Sequence, residues 1–74
     1  MTLYEKVIGI SKPYLGPATE QFLSRQCKTH LKVEAANLAA FQLAELARWV
    51  ENSAALIMDK GKATELAKKI LAAA

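Results

Sequence analysis

The chain has 74 residues, 53% of them hydrophobic, and ten Lys/Arg against seven Asp/Glu give a net charge of +3. That leaves room for a single domain, residues 1–74, with one core that buries about 60% of the unfolded surface. One cysteine excludes an internal disulfide and makes a reducing cytoplasm the expected compartment. No apolar run nears the ~18 residues of a membrane span, and residues 1–10 lack the basic start and long apolar stretch of a signal peptide.

Thr2 and Glu5 have the Thr-x-x-Glu spacing of a capping box. The helix they open carries Leu3, Tyr4, Val7 and Ile8 on one side. Gly9, Ser11 and Pro13 are expected to stop it after about two turns, because proline biases the residue before it away from helical geometry. A helix that short needs docking to persist.

Pro17 suits a first helical position with Gly16 as a permissive cap before it, so a second helix is expected over residues 17–31. Phe22, Leu23, Cys27 and Leu31 form its inner stripe, while Glu20, Ser24, Arg25, Lys28 and Lys32 look outward. Glu20 in the first turn, and Lys28, His30 and Lys32 in the last, both suit the helix dipole.

Residues 33–37 read as a connector or short extra turn, with Asn37 a cap for the next helix. Residues 38–58 contain no proline or glycine and read as one long helix, the central pillar. Leu43, Leu46, Val50 and Ile57, with Ser53, fall on one seam; Phe41, Trp49, Ala54 and Leu56 widen the stripe beyond a narrow coiled-coil seam. Gln42, Glu45, Arg48, Glu51 and Asn52 fill the opposite side. Gly61 is expected in the left-handed position that ends the pillar. A last helix over residues 62–72 turns Ala63, Leu66, Ala67, Ile70 and Leu71 inward, and Glu65 with Lys69 makes a favourable i, i+4 pair. The final three alanines are expected to fray.

The run Tyr14-Leu15-Gly16-Pro17-Ala18, with Arg25 nine residues after Gly16, resembles a short helical module found toward the C-terminus of some bacterial serine/threonine kinases and other signalling proteins, which opens Tyr-Ile-Gly-Pro-Ile-Ala. The resemblance covers residues 14–25, about a sixth of the 74. It departs at Ala18, where a larger aliphatic residue is usual, and at Glu20, where a basic one is common. It implies a signalling-associated interaction module and brings no catalytic activity.

Residue chemistry alone offers little else. One Cys and one His fall short of the three or four ligands of a zinc site, and the sole His has no well-placed nucleophile or orienting group. Three scattered glycines make no phosphate loop. No enzyme, cofactor or metal is expected.

Alanine supplies much of the hydrophobic content, which favours helix but buries little. Few large side chains then hold a lone chain together, and self-association is expected. The resulting expectation is an all-α, compact four-helix bundle that works by protein–protein contact as a homodimer. Leu46, Trp49 and Leu56 are the candidate interface residues, and Tyr14 is presented on the Gly-Pro elbow. The alternative is a small basic DNA- or RNA-binding module using Arg25, Lys28, Lys32, Lys60 and Lys62 against phosphates, although the charges alternate in sign along the chain. The starting Met and the absence of a visible tag fit either a complete small protein or a module of a longer one.

Overall fold

A computed structural model describes residues 2–73, and every regular element among them is helical. Helix α1 (Leu3–Leu15) starts on the expected capping box: Thr2 N–H donates to Glu5 Oε1 at 2.9 Å, and Glu5 N–H donates to Thr2 Oγ1 at 3.2 Å. It then runs through Gly9 and Pro13 instead of stopping after two turns. The reason is positional. Pro13 lies in the last turn, so its missing N–H forfeits only the bond to the Gly9 carbonyl, and the exposed Gly9 leaves that carbonyl open to water.

The helix ends at Gly16, at φ 61 and ψ −138, with the Gly16 N–H returning to the Lys12 carbonyl. Gly16–Ala18 forms a 3₁₀ turn with Pro17 near its start. Helix α2 (Thr19–Gln26) comes next and widens into a π-turn over Cys27–Leu31 before Lys32 closes it in the left-handed conformation. The expected span of the second helix is therefore met, but its last turn is not α-helical.

A 3₁₀ turn over Ala35–Asn37 is the expected connector, though Asn37 does not cap the next helix. Leu38 and Ala39 are extended, and Leu38 drops into the core. Gln42 then braces the turn Ala40–Gln42: its side-chain oxygen accepts the Ala39 N–H at 3.0 Å while its own N–H donates to the Ala39 carbonyl at 2.9 Å. Helix α3 spans Leu43–Ala54, so the long uninterrupted pillar is corrected at both ends. Its start is delayed because Leu38 is buried from extended backbone. Its end comes early because the chain must reverse over residues 55–58 to lay the next helix back along it.

Helix α4 (Lys60–Leu71) is capped by Asp59, whose Oδ2 accepts the Gly61 N–H at 2.9 Å. Gly61 thus sits in the first turn of α4 and not in a left-handed C-cap of α3. A Cβ there would stand 2.9 Å from that same carboxylate oxygen. Ala72 and Ala73 make a turn after α4, and Ala74 lies outside the described residues.

Helices α3 and α4 form the most extensive packed pair, with α1 against α4 and α2 against α1 and α3. They are antiparallel. Thr64 Oγ1 donates to Glu51 Oε2 at 2.8 Å, and seven residues away in each direction Ala44 and Leu71 line one groove. Val7, Leu23, Leu43, Leu46, Val50, Leu66 and Ile70 close the core between the helices. The Cα radius of gyration is 10.7 Å, against about 11 Å for a compact chain of this length. The accessible surface of 4581 Å² also matches the about 4,500 Å² of a folded monomer of this mass. Thin as it is in large side chains, the core closes.

Candidate functional site at the α2–α3 groove

The early end of α3 decides what is left outside. Leu56 is 86% exposed and Ile57 66%, and at the other end Phe41 is 85% exposed. Helical spacing alone puts these residues on the pillar's buried stripe. Off the α-helix their backbone no longer keeps the 3.6-residue phase that would turn them inward. Leu71, expected inward on α4, is also exposed, whereas Ala63, Leu66, Ala67 and Ile70 are buried as their spacing predicts.

The exposed Ile57 forms one wall of a groove of about 600 Å³ between α2 and the end of α3. Phe22 and Ala18 supply further apolar surface, and Arg25, Gln26, His30 and Ser53 supply polar groups. Gln26 is only 5% exposed, and its carbonyl oxygen has no hydrogen-bond partner among the described residues. An unpaired buried amide oxygen is costly. Ser11 Oγ, in the interior of α1, is likewise unpaired among the described residues.

His30 stacks flat on Trp49, with ring centroids 3.7 Å apart and planes 6° apart. The π-turn permits this, since its extra residue rotates the last turn of α2 toward α3. Trp49 is accordingly half-buried under an internal partner. Sequence periodicity carries no signal for this pairing, because it depends on a helix irregularity that apolar spacing does not report.

The other candidate interface residues divide sharply. Leu46 is fully buried in the core, so it has no surface to offer a partner in this fold and is corrected to a packing residue. Tyr14 Oη donates to Glu65 Oε2 at 2.7 Å, with Lys69 Nζ 5.1 Å from its ring centre, so it clips α1 to α4. Only Leu56 stands broadly free.

The Tyr14 bond, with Lys69 adding to it, holds the Glu65 carboxyl below its ordinary value of 4.5. Because the folded value is depressed, the clip's contribution is complete above that ordinary value and is lost as pH falls through the lowered one. Tyr14→Phe is therefore expected to be slightly less stable than the parent at neutral pH and to converge with it in acid. Urea melts at neutral and acidic pH check this, and a gap that persists unchanged in acid would contradict it.

Cys27 is enclosed in the core, and burial pushes its thiol above the ordinary 9.0. A disulfide reagent at neutral pH is expected to label it only as the chain opens, with full labelling in urea. Rapid labelling of the folded protein would place Cys27 at the surface instead.

Arg25, Lys28 and Lys32, the first basic group, are all exposed on or just after the second helical segment. Arg25 borders the groove with Ser53 and Ile57, and Lys28 lies beside Tyr4 and Glu20. Lys60 and Lys62 are exposed on the first turn of α4, while α2 packs on α1 and α3. Among the described residues no group of three or more His, Cys, Asp or Glu is placed to hold a metal ion. No helix there is long and apolar enough to cross a membrane.

Comparison with protein-family models, with curated proteins and with solved structures finds no match. The functional reading therefore rests on the residues themselves.

Proposed function

We propose that this chain is a small, non-catalytic protein–protein interaction module: a compact four-helix bundle that forms a homodimer in a cytoplasmic, signalling-associated setting. The observation that carries the reading is the exposure of Leu56 and Ile57 beside an unfilled groove with Phe22 in its wall. Two exposed aliphatic side chains adjacent in sequence, one of them lining an apolar-walled groove, are the kind of feature that marks an interaction site. The resemblance of residues 14–25 to a module of bacterial signalling proteins points the same way. Sedimentation equilibrium over a wide concentration range tests it. A species of twice the 8.1 kDa chain mass supports it, and 8.1 kDa alone at every concentration refutes the homodimer.

The second reading, a basic DNA- or RNA-binding module, draws on the exposure of Arg25, Lys28, Lys32, Lys60 and Lys62. Phosphate contacts would make binding fall steeply with salt. An electrophoretic shift that weakens in that way favours this reading, and no shift at low salt removes it.

A further inference from the structure

We propose that the α2–α3 groove is covered by a second copy of this chain in a two-fold pairing, in which Leu56 of each copy enters the groove of the other and Asp59 of each meets Arg25 of the other. This rests on the homodimer reading above and gives it a definite surface. In a two-fold interface one patch must supply both the projection and the recess, because each contact occurs twice. This end of the molecule does so. Leu56 projects at 86% exposure, and the neighbouring Ile57 forms part of the recess together with Phe22 and Ala18.

The charges on the patch are complementary in the same sense. Arg25 is the cation bordering the recess. Asp59 lies three residues after Leu56, is exposed, and commits only one carboxylate oxygen to capping α4. A two-fold pairing brings the opposite signs together twice. Lys60 and Lys62, both exposed in the first turn of α4 beside Asp59, must then be directed away from Arg25.

Three variants of the full chain test the arrangement by sedimentation equilibrium, with circular dichroism confirming that each stays folded. Leu56→Glu is expected to weaken dimerisation by about 30-fold or more, the scale of losing an interface anchor. Arg25→Glu is expected to weaken it by a smaller factor, and Arg25→Glu combined with Asp59→Arg is expected to recover most of that loss. Should Asp59→Arg unsettle α4 by removing its cap, Asp59→Asn with unaltered Arg25 tests the same contact, as a loss of affinity smaller than that of Arg25→Glu, because it removes the attraction without adding repulsion; no loss overturns the pairing of Arg25 with Asp59. Dimerisation of Leu56→Glu as tight as that of the parent overturns this surface while leaving self-association standing. A parent chain that never dimerises overturns both. Loss with Leu56→Glu but no recovery in the charge reversal overturns the two-fold pairing of Arg25 with Asp59.

Discussion

Replacing Leu46 with alanine is expected to cost about 2–5 kcal/mol, through lost apolar transfer and the cavity left behind. Leu46 sits on α3 at zero exposure, in the same cluster as Val7, Leu23, Leu66 and Ile70. A chain of this length is expected to hold only about 4–11 kcal/mol in total, at roughly 0.05–0.15 kcal/mol per residue. One methylene-rich side chain is then a large share of the whole. In a domain of this size each kcal/mol moves the melting midpoint by about 4–8 °C, so Leu46→Ala should melt about 8–40 °C lower or fail to fold. At a concentration low enough to keep the chain monomeric, Leu56→Ala should fall within about 0.5 kcal/mol of the parent, as surface changes do. Sequence spacing places these two leucines on one broad stripe, so the contrast tests where α3 ends. Denaturant melts of both variants read it, and a cost for Leu46→Ala below about 1 kcal/mol would mean that the core has been misplaced.

Gly16→Ala is expected to destabilise by about 1–3 kcal/mol although nothing stands in the way of the added methyl. A Cβ at Gly16 would meet no atom within 4 Å, so any cost comes from the backbone alone. At φ 61 and ψ −138 that backbone is open to glycine and strained for every other residue. The conformation turns the chain out of α1 and into the Gly16–Ala18 turn, where Thr19 Oγ1 donates to the Gly16 carbonyl at 2.6 Å. Gly9→Ala is the control. Gly9 also has open space, but it lies inside α1 with ordinary helical backbone, so alanine there should stabilise by about 0.5–1 kcal/mol. Two glycine-to-alanine changes in one chain should thus move the melting midpoint in opposite directions. A shift of the same sign in both would contradict the geometry assigned to Gly16.

Much of this arrangement is legible in the residues, where short-range chemistry decides. The Thr2–Glu5 capping box, the span of the second helical segment and, Leu71 apart, the inward face of α4 come from capping and spacing alone. What spacing misreads is how elements end. Pro13 looks like a stop, yet in a final turn it removes a single hydrogen bond and α1 continues around it. The run 38–58 looks like one rod, because neither the burial of Leu38 from extended backbone nor the reversal before Asp59 leaves a mark in apolar periodicity. Those endings create the candidate site. They leave Leu56 exposed beside Ile57 in the groove wall, and the π-turn lays His30 on Trp49. Leu46 and Leu56 share a sequence pattern and differ in everything else, since ten residues hold phase only while the helix does.

The most direct test is a dilution series on the isotope-labelled chain, tracked amide by amide by NMR. Self-association through the groove predicts that the signals of residues 18–30 and 53–59 shift together with concentration, while those around Phe41 and Leu71 stay fixed. Signals that are unmoved everywhere, or that move only at the Phe41 and Leu71 end, would contradict it.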